Sequence, residues 1–158
     1  MRLSDAAVLL AVGAVVLLVS LLRLRDFALR ENESDARSLV ERLGRMLERD
    51  VQAAERGSIA ELLQTDSTFV KQLDDVEFLA DGTLLRRHGY LFEVSPRSNS
   101  TWVRAWPWRY RETGLGAFAW NPERRLVGHA NEQGEWSGLD ERPQFAVDAD
   151  WRDLEEGR

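Results

Sequence analysis

The chain has 158 residues, the length of one ordinary domain, and it carries a formal net charge of −6 and no cysteine. The lack of cysteine excludes disulfides and thiolate metal sites. An acidic surface argues against nucleic acid as the main partner, because the phosphates would be repelled. The length left after the apolar N-terminal segment still suffices to bury a hydrophobic core, so we expect one domain plus an anchor.

The first element is a segment from Ala6 to Leu22 in which seventeen consecutive residues carry no charge. As a helix rising ~1.5 Å per residue it reaches about 25 Å, and the side chains of Arg23 and Arg25 can extend to the interface of a ~30 Å hydrocarbon core. Residues 1–24 are therefore predicted to be a transmembrane anchor.

A cleaved signal peptide and a buried core helix are the two alternatives to an anchor. A cleaved signal peptide requires small residues after its apolar run, and here large and charged residues follow. A buried core helix that is apolar on all sides needs more surrounding protein than this chain supplies. The charges beside the segment leave its orientation open: the positive-inside rule, applied to Arg23, Arg25 and Arg30, would place the main domain in the cytoplasm.

An amphipathic helix is predicted to continue the anchor over residues 25–57. Opposite charges such as Glu41 and Arg45 are helical neighbours that stabilise an exposed face. We expect one unbroken helix from about residue 5 to 56 that packs on its own domain, with a coiled-coil dimer as the alternative. Apolar residues at spacings of three and four draw a stripe along one face: Ala36, Val40, Leu43, Leu47, Val51 and Ala54.

Residues 58–136 are predicted to form short helices and an antiparallel sheet. Gly57 marks the expected helix end, and Ser58 and Glu61 have the spacing of a capping box that opens a new helix. A second short helix is expected near Ser67 to Leu73. From residue 76 the apolar period becomes two, and Asp81-Gly82 indicates a hairpin turn. The expected fold is α+β, with a small antiparallel sheet of about four strands laid on the long helix.

The last segment, residues 137–158, is acidic and has no apolar period. This composition predicts a mobile tail. Phe145, Val147 and Trp151 are the residues that would hold it against the domain or a partner.

The sequence contains no recognisable catalytic constellation. His88 lies beside Arg86 and Arg87, far in sequence from any carboxylate that would orient it, and His129 lies in a predicted strand. Serine-nucleophile, Walker and dinucleotide glycine motifs are absent from the sequence. Four acidic residues lie close together in the sequence but lack the spacing of an EF-hand calcium loop: Asp74, Asp75, Glu77 and Asp81. We therefore expect no enzyme, no cofactor and no metal.

Four of the six tryptophans lie close together in the strand region: Trp102, Trp106, Trp108 and Trp120. The simpler interpretation is that they form the core beneath the sheet, and the alternative is a surface that receives a glycan or a protein. Trp108, followed by Arg109 and Arg111, is expected to be exposed. The predicted partner contact comprises Trp106, Trp108, Arg109 and Arg111, in the loop from Pro107 to Gly116.

The strand region also carries an ordered motif: Gly89-Tyr90-Leu91-Phe92, then Ala105-Trp106-Pro107, then Gly114-Leu115-Gly116-Ala117-Phe118. Together with the long helix that precedes it, this order of residues resembles the type IV pilin and type II secretion pseudopilin family, in which a long helix packs on such a sheet. The resemblance covers the chain from about residue 30 to 130. The stretch "RLSDAAVLL" lacks the glycine and the glutamate of a prepilin processing site.

The resemblance implies a single-pass protein of the cytoplasmic (inner) membrane, with its sheet domain outside the cytoplasm. Its partners would be membrane lipid and either copies of itself or pilus and secretion components. The expected function is structural, in assembly of the cell envelope. The alternative is a tethered extracytoplasmic module that binds a glycan or a protein through the loop rich in tryptophan and arginine.

Overall fold

A computed structural model describes residues 3–50, 58–71, 73–95, 101–143 and 151–154, with side chains described from residue 10 onward. The helices are α1 (Leu3–Arg49), α2 (Ile59–Gln64) and α3 (Ser67–Val70). The strands are β1 (Glu77–Leu79), β2 (Leu84–Arg87), β3 (Tyr90–Ser95), β4 (Trp102–Pro107), β5 (Ala117–Asn121), β6 (Arg125–His129) and β7 (Arg152–Asp153). They form one antiparallel sheet in the order β1-β2-β3-β4-β5-β6-β7.

Helix α1 runs without a break over 47 residues, which corresponds to about 70 Å. Residues 51–56 and Gly57, where the helix was expected to end, lie outside the described residues, as does the side chain of Ala6. In the described part of the chain, no helix was found with the length and apolarity needed to cross a membrane.

The α+β class and the packing of the long helix on an antiparallel sheet are confirmed. The expected count of about four strands is wrong, since the described sheet has seven. The hairpin around Asp81 supplies β1 and β2, and its turn places Asp81 at a φ of 55° before Gly82 at 84°. The seventh strand comes from the predicted tail, where two residues pair with β6.

One face of the sheet covers the C-terminal half of α1. The described part of the predicted stripe, from Ala36 to Leu47, is buried there, and Val40 and Leu43 have no exposed surface. Val51 and Ala54 of the stripe lie outside the described residues. Tyr90, Phe92 and Val94 point to this face from β3, as their alternation predicts. Gly44 permits the closest approach, because a Cβ atom there would overlap the indole of Trp120. Ser58 caps α2 by accepting a hydrogen bond from the Glu61 amide at 3.3 Å, which is one of the two bonds of the predicted capping box.

The opposite face of the sheet is also buried, beneath residues of the C-terminal region. Trp102 and Trp106 lie on this face, so only Trp120 of the predicted tryptophan core packs against the helix. Trp136 and Trp151 cover it and stack with ring centroids 5.3 Å apart. Residues 137–143 and 151–154 of the predicted tail therefore pack on the domain, while Phe145 and Val147 lie outside the described residues.

Candidate interaction site: the arginine loop on the long helix

The connection between β4 and β5, residues 108–116, forms a compact turn that we call the arginine loop. The amides of Glu112 and Thr113 donate to the Arg109 carbonyl oxygen at 3.1 and 2.9 Å, and the Arg111 amide donates to the Gly114 carbonyl oxygen at 2.9 Å. Arg111 has a φ of 64°, the left-handed conformation needed to turn the chain at this point. The tip, residues 109–112, is thus fixed by its own backbone.

The arginine loop is tied to α1 at successive levels along the helix axis. The Arg25 guanidinium donates to the Arg111 carbonyl oxygen at 2.7 Å. Seven residues further along, the side-chain amide of Asn32 donates to the Thr113 carbonyl oxygen at 2.9 Å. The loop therefore lies along the helix, with its tip towards the N-terminal end of α1.

Glu33 makes the third attachment. One oxygen of its carboxylate accepts hydrogen bonds from the amides of Leu115 and Gly116, at 3.0 and 3.1 Å. Its other oxygen lies 4.0 Å from the Arg37 guanidinium, and the side chain is 18% exposed. A partly buried carboxylate that accepts two backbone amides is a strong and directional contact, so Glu33 fixes the point where the loop enters β5.

Residues of the ordered motif that begins at Gly89 and ends at Phe118 meet behind this attachment. The Tyr90 hydroxyl donates to the Gly116 carbonyl oxygen at 3.0 Å, and its ring lies 5.9 Å from that of Phe118. A Cβ atom at Gly114 would overlap the Tyr90 hydroxyl, and one at Gly89 would lie 2.5 Å from the Thr113 Cβ. The two glycines therefore leave the space in which the loop closes against β3 and the helix.

The same surroundings keep the Tyr90 phenol neutral. Burial raises its pKa far above the ordinary value, and the negative charge of Glu33 raises it further, against a smaller opposing effect of Arg37. A protonated hydroxyl is required for the bond to Gly116, so the tyrosine holds the loop throughout the ordinary pH range.

The predicted contact residues occupy different environments. Trp106 has no exposed surface, and its indole donates to the Gly138 carbonyl oxygen at 2.8 Å, which leaves it no area for a partner. Trp108 is half-buried rather than exposed, with the Arg86 guanidinium 5.2 Å from its ring centroid. Arg109 and Arg111 are exposed at the tip of the arginine loop. The expectation that Trp108 is exposed is therefore wrong, and of the four residues only the two arginines are exposed.

Trp108 borders an open cleft of about 490 Å³. His88 lines it, and its Nδ1 atom lies 3.1 Å from an Asp35 oxygen, which also accepts from Arg87 at 2.6 Å. No carboxylate near His88 in the sequence is placed to orient it, because Asp35 comes from α1 more than fifty residues earlier. Among the described residues that line the cleft there is no serine, threonine or cysteine that this histidine would activate. The lining residues besides His88 include Asp75, Val76, Glu77, Arg86, Gly89 and Trp108.

His129 has a structural environment on the second face of the sheet. Its Nδ1 atom accepts a hydrogen bond from the Asn131 amide at 3.0 Å, and its ring lies 4.5 Å from Trp136 and 5.6 Å from Trp151. Across the described ranges, no three histidine, aspartate or glutamate side chains gather in an arrangement that would hold a metal ion.

Comparisons with protein families, with curated proteins and with solved structures found no match to this chain.

Proposed function

We propose that the chain is a single-pass, membrane-anchored, pilin-like envelope protein with a structural or assembly role. The observation that carries the proposal is the contrast between the two halves of one continuous helix. In the first half, large apolar side chains are exposed, with Leu10 at 76% and Leu17 at 63%. In the second half, the apolar stripe is buried under the sheet.

The sequence of the N-terminal half supports the proposed anchor, since seventeen consecutive residues from Ala6 to Leu22 carry no charge. Eleven leucines and valines lie between Ala6 and Leu22, and at −0.3 to −0.6 kcal/mol each they favour insertion by roughly 3 to 7 kcal/mol. Ser20, the single hydroxyl in this stretch, donates to the Val16 carbonyl oxygen at 2.8 Å. No charged side chain has to enter the hydrocarbon region, and the flanking arginines lie where headgroups would surround them.

The pilin-like part of the proposal is supported by how the motif residues are used. Tyr90, Gly114 and Gly116 hold the arginine loop on the helix, which gives a structural reason for the spacing that resembles the family. Because the sheet packs on the C-terminal half of α1, the N-terminal half is left to pack against the same segment of neighbouring chains. Copies of the chain, or pilus and secretion components, are the partners that such an arrangement would meet, with the sheet domain outside the cytoplasm.

Membrane insertion is tested by fractionation of the full chain. We expect it to resist alkaline carbonate extraction, and Leu17→Asp to shift it towards the soluble fraction, because an aspartate at the centre of the span costs about 3 kcal/mol. Ser34→Asp, at an exposed helical position beyond the anchor, is the matched control and should fractionate like the original. A full chain released by carbonate as a monomer would overturn the proposal.

Orientation and assembly need separate measurements. A C-terminal reporter active only outside the cytoplasm should be active, and an inactive but stably expressed fusion would place the domain inside. Because the chain has no cysteine, single cysteines at positions along the anchor report neighbours directly. Disulfide crosslinks between Val16→Cys copies in native membranes are expected if anchors pack together, and crosslinking no greater than at an exposed sheet position would count against assembly.

A tethered binding module is the second candidate, favoured by the cleft beside Trp108. An indole at the edge of a cleft with carboxylate and guanidinium groups suits the stacking and hydrogen bonding of a sugar ring. Titration with defined envelope glycans should change tryptophan fluorescence, and Trp108→Ala should abolish the change without a large fall in melting temperature. A large fall would instead assign Trp108 to the core.

A further inference from the structure

The position of the arginine loop along α1 determines where its tip would stand relative to a membrane. Arg25, which binds the tip, lies three residues beyond Leu22, or about 4.5 Å along the helix axis. The interfacial layer on each side of a bilayer is roughly 5–8 Å thick. If Ala6 to Leu22 span the hydrocarbon core, the tip falls within the headgroup layer.

We propose that the tip of the arginine loop, residues 109–112, stands in this layer and binds the phosphates of phospholipids through Arg111, with Arg25 beside it. This inference rests on the proposed membrane anchor and adds a lipid-binding function to the loop. It gives the sheet domain a second attachment to the membrane surface besides its helix.

The charges at the tip suit an anionic ligand. Arg111 is exposed, its guanidinium lies 5.3 Å from the Tyr110 ring centroid, and within the described ranges no carboxylate forms an ion pair with it. Arg109 lies 3.4 Å from Glu112, a pair exposed to solvent and therefore weak. The planar guanidinium matches phosphate with two parallel hydrogen bonds, which a lysine cannot reproduce.

The local charge also differs in sign from that of the whole chain. Arg25 and the tip that it binds carry three arginines, Arg25, Arg109 and Arg111, and one carboxylate, that of Glu112. The difference is 3 − 1 = +2, in a chain whose formal charge is −6. The tip and the helix residue that holds it therefore form a locally positive group that attracts anions.

Apolar and aromatic groups accompany these charges. Phe27 is 65% exposed on α1, and Leu115 is 41% exposed on the loop. Tryptophan and tyrosine are the aromatic residues enriched at headgroup level, because their rings are amphipathic, and Tyr110 lies at the tip. Because Asn32 and Glu33 already fix the loop on the helix, lipid binding would order little additional backbone, which lowers its entropic cost.

The test uses the full chain in nanodiscs, with single nitroxide labels whose depth is measured by the relative access of oxygen and a water-soluble nickel reagent. Glu112→Cys labels the tip while retaining Arg111. Glu123→Cys labels the exposed β5–β6 turn, next to Arg125, which pairs with Glu48. Glu48 lies about 35 Å further along α1 than Arg25, so this label is the matched control in water. Val16→Cys labels the anchor.

In phosphatidylglycerol and phosphatidylcholine nanodiscs, we expect the nickel reagent to reach the tip label about threefold less than the control label, as for a site at phosphate level. Because Asn32 and Glu33 fix the loop on the helix, Arg111→Gln should leave the depth of the tip label unchanged. Phosphate binding is therefore measured separately, from the nitrogen–phosphorus dipolar contacts of the arginine guanidinium groups by solid-state NMR in the same bilayers. Arg111→Gln should remove one of these contacts, whereas Arg30→Gln, about 12 Å beyond Leu22 and outside the interfacial layer, should remove none.

The outcomes separate this inference from the proposed anchor. A Val16 label that behaves as in water removes the anchor and the inference with it. A deep Val16 label together with equal access at positions 112 and 123 overturns the inference and leaves the anchor standing. Guanidinium–phosphate contacts that are unchanged by Arg111→Gln refute phosphate binding by Arg111.

Discussion

Replacing Glu33 by alanine is the sharpest test of how the arginine loop is held. The substitution removes the one oxygen that accepts the amides of Leu115 and Gly116. The Gly116 amide is buried, so it cannot recover its bond from water without a local opening. We therefore expect the loop to separate from α1 before the rest of the domain unfolds.

The magnitude follows from the environment of each bond. A hydrogen bond to a charged group contributes about 1.5–3 kcal/mol. Leu115 is exposed and its amide regains a water partner, and the carboxylate itself is 18% exposed, so the two bonds do not add in full. We expect Glu33→Ala to cost about 2–3 kcal/mol locally, and Glu33→Gln, which keeps an acceptor oxygen but loses the charge, to cost about 1 kcal/mol.

Amide hydrogen exchange of the full chain in nanodiscs measures this cost directly. Protection of the Gly116 amide should fall roughly 30- to 150-fold in Glu33→Ala and about fivefold in Glu33→Gln. The matched control is Glu41→Ala, which removes an exposed partner of Arg45 at 3.3 Å on the same helix and should change protection by less than about twofold. If Glu33→Ala behaves like Glu41→Ala, Glu33 does not hold the loop.

Three further substitutions probe the packing behind the site. Between about pH 10 and pH 12 the unfolded chain releases the Tyr90 proton while the folded chain keeps it, so stability should fall by about 1.4 kcal/mol per pH unit, and Tyr90→Phe should remove this slope in denaturant titrations. Gly44→Ala forces a methyl group against the Trp120 indole and should lower the unfolding free energy by about 1–3 kcal/mol. The control Gly13→Ala, at a position where the added methyl group meets no atom within 4 Å, should be neutral or slightly stabilising. Equal effects of the two substitutions would contradict the packing of Gly44 against Trp120. Trp151→Ala removes a large buried side chain beside β7 and should lower the unfolding free energy by about 3–5 kcal/mol. Proteases should then cleave the chain at new sites C-terminal to residue 143. An unchanged melting temperature would show that this segment does not stabilise the sheet.

The faces of α1 and of the central strands could be predicted from the sequence because each depends on a short local period. The spacing of three and four identified Ala36, Val40 and Leu43 as the buried stripe, and all three are buried. The alternation in β3 identified Tyr90 and Phe92 as facing the helix. Burial on one side of a regular element leaves this period in the sequence whatever the rest of the fold does.

The contacts of the arginine loop could not be predicted in the same way. Glu33 and Leu115 are 82 residues apart in the chain, and a carboxylate on an amphipathic helix looks like any solvated charge until its partner is known. The Asp35 contact to His88 is a second case, since it joins α1 to the turn before β3. Side chains that bind backbone amides or distant partners leave no period, so sequence patterns identify the elements and not their attachments.

The buried second face of the sheet did leave a signal in β4. A strand with one wet face alternates apolar and polar residues, but β4 has Trp102 and Trp106 on one side and Val103 and Ala105 on the other, and all four are buried. Such a strand needs a cover on both sides, and α1 supplies only one.

Arg104, the one charged residue of β4, has the same implication. Its side chain is 12% exposed and binds Glu93 at 2.5 Å and Ser95 at 2.6 Å on the second face. A guanidinium with so little exposure requires carboxylate and carbonyl partners from a covering layer. The Pro143 carbonyl oxygen, another acceptor of Arg104, comes from that layer. The acidic C-terminal region therefore has to cover the second face of the sheet. Although this region is acidic as a whole, its tryptophans provide the apolar surface that packs there.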